Sequence, residues 1–406
     1  MNPLTVCMFS NLYPPVVSGS STQSAELSRE LVRQGHRVIV ITARLDPSFP
    51  YREVIDGVTV YRLPALRMPK IPIAFNFPWL NITFTPANLS RIGSIVSQHN
   101  PDVLHLHNHM FDLGLSATRI RRQTGRPLVT TLHTVIRHNR WFYNVFLYPA
   151  DRFFLRKLVI DQSDQILCPD VNIKQYALEA FGRSNSCIVP YGVNLPDKTN
   201  ASREQELRES YHLNGKRVIL SLGHVHEIRN RKDLIAALPA ILRVFPDTIL
   251  LVVGAVSTDL PARLAHSLGV GHAVVFTGPV SHEDIPYFLS IADLEAHWLN
   301  QEKPERTSLG VASLEAMLAG KVVLSTANPD TYGSGILVPD ENVIIVSPGQ
   351  PKELAHRIIH LLQDDALRHA IGRRARETIL DNFSWASVGQ KTIQIYQQMI
   401  SDRRPQ

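Results

Sequence analysis

Short apolar runs rich in β-branched residues alternate with amphipathic stretches along the whole chain. This alternation is typical of βαβ units, in which buried parallel strands are joined by helices. In the first half the predicted strands are residues 4–9, 37–42, 59–63, 103–107, 128–132 and 165–168. In the second half they are residues 217–222, 248–253, 273–276, 294–298, 322–325 and 343–346. The pattern predicts an α/β protein with two doubly wound parallel sheets.

The chain is long enough for two hydrophobic cores, because 406 residues with 44% apolar content exceed the size at which a single core stops growing. The segment "CIVPYGVNLPDKTNASRE" interrupts the regular pattern with Pro190, Gly192 and Pro196 and then becomes polar. Such a stretch is typical of a linker between domains. We therefore predict a first domain at residues 1–190 and a second that begins at residue 191.

Positive charge is concentrated in the first half of the chain. Residues 1–195 contain 20 Lys+Arg against 12 Asp+Glu, and the remainder contains 22 against 24, so the halves carry +8 and −2. This asymmetry indicates an anionic partner, with a merely solvated basic surface as the alternative. No nucleic-acid-binding motif accompanies the charge, so we expect no nucleic acid partner. The aromatic run at residues 71–84, next to Arg67 and Lys70, predicts peripheral contact with an anionic membrane or, alternatively, a loop with aromatic packing.

The N-terminal residues lack the basic region and small-residue cleavage site of a signal peptide, so we expect a cytoplasmic protein, either free or associated with the cytoplasmic face of a membrane. The uncharged run at residues 71–90 contains three prolines and three asparagines, which argues against a membrane-spanning helix.

Cys7, Cys168 and Cys187 have no metal-type spacing, and we interpret them as buried thiols.

Two junctions between a strand and a helix indicate anion sites. In "SNLYPPVVSGSSTQSAELSRELVRQGHRV" a loop of small residues leads into a helix after the first strand. In "HWLNQEKPERTSLGVASLEAMLAGK" a polar loop leads into a helix that begins near Gly310. Because ligands of doubly wound sheets lie beyond the carboxyl ends of the strands, the free N–H groups of these helix N-termini favour a negatively charged ligand.

Several segments, taken in order, resemble the retaining glycosyltransferases of family four, which have the GT-B fold. In the first half they are "YPPVVSGSSTQSAELSRELVRQGHRV", "PDVLHLHNHM", "RPLVTTLHT" and "IVPYGVN". In the second half they are "VILSLGHVHEIRNRKDLIAAL", "LLVVG", "VVFTGPVSHEDIPYFLSIADL", "GVASLEAMLAGK" and "FSWASVGQKTIQIYQQM". Any one segment is unspecific, but the ordered set covers nearly the whole chain.

The resemblance implies two Rossmann-like domains that face a cleft, with the acceptor bound mainly by residues 1–190 and the nucleotide-sugar donor mainly by residues 191–383. It also implies that residues 384–406 form a helix that packs back on the first domain. Members of the family generally need no metal ion or other cofactor, so positive charge and N–H donors must stabilise the leaving diphosphate.

The resemblance assigns donor-phosphate binding to the basic segment "RNRKDL". Lys232 matches the phosphate-binding lysine of the family, and either Arg231 or Arg229 takes the part of its arginine partner. The chain departs from the family at His224, where many members have arginine after the glycine. A solvated basic turn is the alternative interpretation.

The resemblance also identifies the helix near Gly310 as part of the donor site. Glu315 matches the glutamate that accepts hydrogen bonds from the nucleotide ribose, with a buried or surface helix glutamate as the alternative. Backbone N–H groups before it would bind the diphosphate; they belong to Ser308, Leu309, Gly310 and Val311.

One glutamate of the family pattern is missing from this segment. The family has a second glutamate eight residues before the first, and here that position is Thr307. Either Glu305 reaches the place of the missing carboxylate through a longer loop, or Thr307 itself contacts the donor sugar, or the function is lost.

Two further positions in the first half match the family. Gly19 corresponds to one of two loop glycines that approach phosphate, although its neighbour is Ser18. His133 in "TTLHT" corresponds to a histidine that contacts the donor sugar, with a capped strand-end histidine as the alternative. The alternating His105, His107 and His109 could look like a zinc site, but the family has a similar segment here and we assign no metal.

These features lead to a specific hypothesis about function. The chain is expected to be a metal-independent retaining glycosyltransferase that moves a hexosyl group from a UDP- or GDP-linked sugar to a glycan or lipid-linked acceptor in cell-envelope or glycoconjugate synthesis. A nucleotide-sugar epimerase and a non-catalytic nucleotide-sugar-binding protein are the alternatives that share the fold.

Overall fold

The computed structural model describes residues 3–16, 18–67, 81–138, 141–195, 200–226, 229, 231–296 and 308–403. The chain divides into two compact units, one formed by residues 1–192 with 385–406 and the other by residues 193–384. The predicted domain boundary at residues 190 and 191 lies two residues before this division.

The first unit is built on an eight-stranded sheet with the order β10-β9-β8-β7-β1-β2-β4-β3, in which only β3 is antiparallel to its neighbour. A separate antiparallel pair is formed by β5 and β6. The strands are β1 (Thr5–Ser10), β2 (Arg37–Arg44), β3 (Arg52–Ile55), β4 (Val58–Pro64), β5 (Leu66–Arg67), β6 (Asn81–Ile82), β7 (Val103–His107), β8 (Leu128–Thr131), β9 (Gln165–Cys168) and β10 (Cys187–Ile188).

Helices cover both faces of this sheet. They are α1 (Gly19–Arg33), α2 (Pro86–His99), α3 (Leu113–Thr124), α4 (Trp141–Pro149), α5 (Arg156–Leu158) and α6 (Val171–Phe181), with a π-helical turn at Ala150–Leu155 between α4 and α5. Alternate residues of β1 point to opposite faces, so Val6 and Met8 pack in one core and Cys7 and Phe9 in another. This burial on both faces explains the continuous apolar runs of the central strands.

The second unit contains a six-stranded parallel sheet with the order β13-β12-β11-β14-β15-β16. Its strands are β11 (Arg217–Leu222), β12 (Thr248–Val253), β13 (Val274–Gly278), β14 (Leu294–Ala296), β15 (Val322–Ser325) and β16 (Ile344–Ile345). Its helices are α7 (Ala201–Ser210), α8 (Lys232–Val244), α9 (Leu260–Ser267), α10 (Ile285–Ser290), α11 (Val311–Leu318), α12 (Pro351–Gln363) and α13 (Asp365–Asn382). This strand order is that of a Rossmann sheet, which confirms the predicted doubly wound α/β class.

The last helix, α14 (Trp385–Ser401), belongs to the first unit. Its buried residues Trp385, Val388, Ile393 and Tyr396 share a core with β1 and α1. The chain leaves the first unit at Gly192, where a Cβ atom would lie 2.3 Å from the Trp385 ring. A residue larger than glycine would therefore displace the start of α14.

All twelve predicted strands are present, with bounds that differ by at most two residues where the structure describes them, and the strands without a prediction are β3, β10 and the separate pair β5 and β6. The predicted strand at 294–298 is observed over Leu294–Ala296, and its last two positions lie outside the described residues. The edge strands β3 and β10 were not predicted, because β3 is largely exposed and β10 has two residues. Cys7 and Cys168 are buried as predicted, whereas Cys187 on the edge strand β10 is only half-buried.

Within the part of the chain that the structure describes, no helix is both long and apolar enough to cross a bilayer. The aromatic run predicted to contact a membrane falls mostly at residues 68–80, outside the described residues.

Candidate functional site

The strand order of the second unit reverses between β11 and β14. These neighbours pair in parallel, with Ile219 opposite Leu294 and Leu220 opposite Glu295. Helix α8 follows β11 and α11 follows β14, so both helices begin at the carboxyl edge of the sheet on the two sides of the switch point. Ligands of Rossmann sheets bind in this crevice, which makes the N-termini of α8 and α11 the candidate site.

Helix α11 begins without a side-chain cap. Gly310 is the N-cap residue in an extended conformation, and no side-chain oxygen accepts from the first turn. The Gly310 carbonyl accepts from Ser313 N at 3.0 Å and Leu314 N at 3.1 Å, which leaves the N–H groups at the start of the helix without an intrahelical partner. An anion is the natural ligand of such a terminus.

The loop before α11 is held by the rest of the unit. Leu309 is buried, and its carbonyl accepts from the Tyr332 hydroxyl at 3.2 Å. Ser308 and Gly310 are half-buried, and Val311 is exposed. The four residues predicted to supply N–H groups therefore run from the unit's interior to its surface.

Glu315 lies on the second turn of α11 and is buried. Burial raises the pKa of its carboxyl to about 7. Its Oε1 is 3.7 Å from Nε2 of the exposed His282, a residue for which no role was predicted. A buried carboxyl beside an uncapped helix start is suited to accept hydrogen bonds from a ligand, because burying a carboxylate without donors is costly.

The three basic residues of "RNRKDL" have different surroundings. Lys232 is half-buried at the first position of α8, and Arg229 is half-buried in the loop before it. Arg231, by contrast, is 2% exposed. Its guanidinium donates to Ser221 Oγ at 2.9 Å and to three backbone carbonyls, those of Gly223, His224 and Arg229. The structure therefore places Arg231 as a support of the loop, and it favours Arg229 over Arg231 as the partner of Lys232.

A buried acidic residue lies under the same junction. Glu295 on β14 is fully buried, and its Oε2 accepts from Ser313 Oγ of α11 at 3.1 Å. Burial lowers the pKa of Arg231 to about 10, and the negative charge of Glu295 opposes that shift. Glu295 thus interacts both with Arg231, the N-cap of α8, and with Ser313 of α11, so it links the starts of the two helices inside the unit. The sequence did not indicate this link.

The two candidates for the missing carboxylate, Glu305 and Thr307, lie outside the described residues. The helix that follows them begins as predicted at Val311. The contact of Glu305 or Thr307 with the donor sugar therefore stays a prediction.

In the first unit, α1 begins at the predicted junction, with Ser18 as N-cap and Gly19 as first residue. Ser18 Oγ accepts from Ser21 N at 3.1 Å, and Ser21 Oγ accepts from Ser18 N at 2.8 Å. A Cβ atom at Gly19 would meet no atom within 4 Å. The space beside Gly19 is therefore open, as the predicted approach of phosphate to this loop requires.

His133 follows β8 and belongs to a stack of rings. Its Nε2 is 3.1 Å from His107 Nδ1, and its Nδ1 is 3.0 Å from the hydroxyl of Tyr191. Burial, with a smaller contribution from His109, lowers the pKa of His133 to about 4. His133 is thus neutral at pH 7, with one ring nitrogen as donor and the other as acceptor, and its present partners are His107 and Tyr191. Tyr191 was not predicted, although it stands in the quoted segment "IVPYGVN".

The three alternating histidines have separate partners. His105 pairs with Tyr396 Oη at 2.5 Å and Thr131 Oγ1 at 2.7 Å. His109 Nε2 is 3.1 Å from Asp151 Oδ1. Among the residues that the structure describes, no group of three His, Cys, Asp or Glu side chains is arranged to hold a metal ion.

Comparison with known proteins identifies the class of this fold. The chain is similar in structure to the Anabaena protein HepE in complex with UDP and glucose, with a TM-score of 0.64 and 18% identity, over 97% of this chain and 100% of that chain. In sequence it is 26% identical to the phosphatidyl-myo-inositol mannosyltransferase of Mycolicibacterium smegmatis, over 97% of this chain and 92% of the relative. It is 23% identical to the alpha-monoglucosyldiacylglycerol synthase of Streptococcus pneumoniae, over 94% of this chain and 83% of the relative. The fold is GT-B.

The family follows from two further matches. Residues 17–196 match the model of Glycosyltransferase Family 4, and residues 202–378 match that of Glycosyl transferases group 1. Together the two matches cover most of the chain, which therefore belongs to Glycosyltransferase Family 4 and is a glycosyltransferase. This result confirms the resemblance to the family-four enzymes that the sequence indicated.

Proposed function

We propose that this glycosyltransferase is a retaining enzyme that transfers a hexosyl group from a UDP- or GDP-linked sugar to a glycan or lipid-linked acceptor. The observation that carries the proposal is the buried Glu315 beside the uncapped start of α11, at the switch point where α8 begins with Lys232. A carboxylate for ribose hydroxyls, N–H donors and a lysine are what a nucleoside diphosphate needs.

The proposed roles follow the charge that develops during transfer. As the bond to the anomeric carbon breaks, negative charge grows on the leaving diphosphate and must be stabilised. Lys232, with Arg229, stabilises that charge together with the N–H groups of residues 308–311. Gly19 lets the first-unit loop approach the phosphate, and neutral His133 contacts the sugar.

Metal independence is part of the same proposal. The cationic side chains and N–H donors at α8 and α11 supply the charge that a divalent cation would otherwise provide. Transfer that persists unchanged in excess chelator supports this statement, and transfer that needs added Mg²⁺ or Mn²⁺ overturns it.

The proposed acceptor class is supported by two facts. The relatives named above are a mannosyltransferase of phosphatidyl-myo-inositol and a synthase of a glucosylated diacylglycerol. The first 195 residues carry a charge of +8, which suits an anionic acceptor. A lipid or lipid-linked glycan with an anionic group is therefore the acceptor to test first.

A panel of nucleotide sugars tests the donor. A ligand that binds the folded state raises the melting temperature, so the correct UDP- or GDP-linked hexose should raise it more than its competitors. The selected donor is then incubated with and without acceptor, and the anomeric configuration of the product is read by NMR. Product with inverted configuration would overturn retention.

The same incubation separates the alternative functions. Conversion of the sugar without any acceptor would identify an epimerase. Binding without turnover across a broad acceptor panel would identify a non-catalytic binding protein.

A further inference from the structure

A row of apolar side chains on the first unit faces solvent. It comprises Trp141, Phe142, Val145, Phe146, Phe153, Phe154 and Leu158, which are called the aromatic ridge below. The exposed fraction is 76% for Trp141, 71% for Phe146 and Phe153, and 67% for Phe154. Large aromatic side chains are rarely left so exposed, and a contiguous set of them indicates an interaction surface.

The ridge is one face of a helical segment. Phe142, Phe146, Phe154 and Leu158 fall on steps of four residues or multiples of four, from α4 through the π-helical turn into α5. The opposite face contains Asp151 and Val159, which are buried, and Leu147 and Leu155, which are half-buried. The segment is therefore amphipathic by observed burial, with the larger aromatic side chains on the outer face.

Polar contacts fix the inner face to the unit. Asp151 Oδ1 lies 3.1 Å from His109 Nε2, and Asp151 also accepts from the Tyr176 hydroxyl. Asn144 accepts from His138 N at 2.8 Å and donates to His138 O at 2.9 Å. The aromatic ridge is thus presented by an anchored segment, so that its exposure is a property of the folded unit.

Positive charge accompanies the ridge. Residues 134–160 contain five basic residues, Arg137, Arg140, Arg152, Arg156 and Lys157. Arg152, Arg156 and Lys157 are exposed and are interspersed along the chain with the exposed Phe153, Phe154 and Leu158. Asp151, which is buried, is the only acidic residue in the same stretch. The nearest acidic neighbour along the chain, Asp161, is 3.7 Å from Arg156 Nε.

We propose that the aromatic ridge docks this glycosyltransferase on an anionic lipid bilayer, with the aromatic rings in the interface and the cations against lipid phosphates. Exposed Trp and Phe with interleaved Lys and Arg are what an interfacial helix uses. A second copy of the chain fits worse, because pairing two ridges would bring two sets of cations together. The ridge is distinct from the aromatic run at residues 71–84 that the sequence indicated.

Co-sedimentation of the full chain with vesicles tests the proposal without donor or acceptor. Vesicles of phosphatidylcholine with phosphatidylglycerol should retain the protein at low salt, and vesicles of phosphatidylcholine alone should retain much less. High salt should weaken the binding, because it screens the cations. Since no transfer is measured, the outcome is independent of the donor and acceptor proposed above.

Variants separate the two components of the surface. The triple change Phe146→Ser, Phe153→Ser and Phe154→Ser should reduce binding to anionic vesicles by about tenfold or more. Arg156→Gln with Lys157→Gln should reduce it about fivefold for each cation. The matched control is Val54→Ser with Val244→Ser, which removes exposed apolar side chains elsewhere and should leave binding unchanged. Circular dichroism and melting temperature establish that each variant is folded.

Trp141 reports the depth of insertion. Its emission should shift to shorter wavelength with anionic vesicles and be quenched by brominated lipid, and the shift should disappear in Trp141→Phe. The proposal is overturned if the triple variant binds vesicles like the wild type, or if Trp141 stays exposed to water on vesicles. It is also overturned if Phe84→Ser alone abolishes binding, or if the triple variant converts a dimer to a monomer without vesicles.

Discussion

Oε1 of Glu315 lies 3.7 Å from Nε2 of His282, and the two side chains differ sharply in their access to water. The carboxyl is nearly buried on α11, while the imidazole stands at the surface. Burial raises the pKa of Glu315 to about 7, from an ordinary value of 4.5. In the unliganded protein this carboxyl is therefore half-protonated near neutral pH.

Nucleoside diphosphate binding should therefore depend on the ionisation of Glu315. Ribose hydroxyls donate to the carboxylate, so the ligand favours the ionised form and lowers the pKa of Glu315. Affinity for UDP or GDP should rise by about tenfold from pH 5.5 to 8, and complex formation near pH 6.5 should release a proton. Calorimetry in buffers of different ionisation enthalpy measures that proton. Glu315→Gln should bind more weakly and lose the Glu315 part of the release; an unchanged release would contradict this assignment.

Lys232 should act mainly in the transition state. Lys232→Ala removes a cation from the start of α8, and the expected cost of about 2–4 kcal/mol corresponds to a fall of about 30-fold to 1,000-fold in kcat/KM. The matched control is Lys216→Ala, because Lys216 pairs at 2.7 Å with Asp247 away from the two helix starts. Steady-state kinetics with the selected donor compares the two variants. Equal activity in both would mean that Lys232 is only a surface charge.

Arg231 should contribute to stability more than to binding. Arg231→Met leaves a serine hydroxyl and three carbonyls without their buried donor, and we expect the free energy of unfolding to fall by about 3–5 kcal/mol. Urea denaturation, followed through the unfolding transition of the second unit, measures this change. The exposed Arg263, paired within its helix with Asp259, provides the control Arg263→Met with a change below about 0.5 kcal/mol. Loss of UDP affinity with unchanged stability would restore Arg231 as a phosphate ligand.

The buried strands of each sheet could be predicted from the sequence, whereas the edge strands β3 and β10 of the first sheet could not. Strands β7, β9, β11, β12 and β15 have the bounds that the apolar runs predicted, because they are covered on both faces and so consist of continuous apolar residues. The edge strand β3 has the sequence "REVI", in which polar and apolar residues do not alternate, and none of its residues is buried, so the sequence resembles that of a loop. Its position depends on pairing with β4, which no local pattern reports.

The two helix starts of the candidate site could be predicted from the sequence, but the direction of individual side chains could not. "RNRKDL" contains three cations in four residues, and the sequence alone does not choose which of them turns inward. Arg231 is the N-cap of α8 in a left-handed conformation, with φ of 60°, and its guanidinium is directed inward by hydrogen bonds to Ser221 Oγ and to three backbone carbonyls. The aromatic ridge could not be predicted from the sequence for a similar reason. An apolar helix has the same sequence pattern whether its outer face is covered or exposed.

The residue that replaces the missing family glutamate can be identified by comparing two ligands. Intact donor contains the sugar, and free nucleoside diphosphate does not, so a residue that contacts only the sugar affects only the first. If Glu305 holds the sugar, Glu305→Gln should weaken donor binding and transfer while leaving UDP or GDP affinity nearly unchanged. If Thr307 has that role through its hydroxyl, Thr307→Val should show this pattern instead.

Calorimetric titration of both ligands into each variant distinguishes these outcomes. Glu315→Gln is the internal reference, because the ribose belongs to both ligands and both affinities should fall together. A buried hydroxyl or carboxylate contact to a sugar hydroxyl contributes about 1–3 kcal/mol, so the separation should reach about fivefold or more. If neither Glu305→Gln nor Thr307→Val lowers the affinity for donor more than the affinity for diphosphate, these two residues do not contact the sugar. The neutral His133 would then be the remaining predicted contact to the hexose, and His133→Ala would be expected to weaken donor alone.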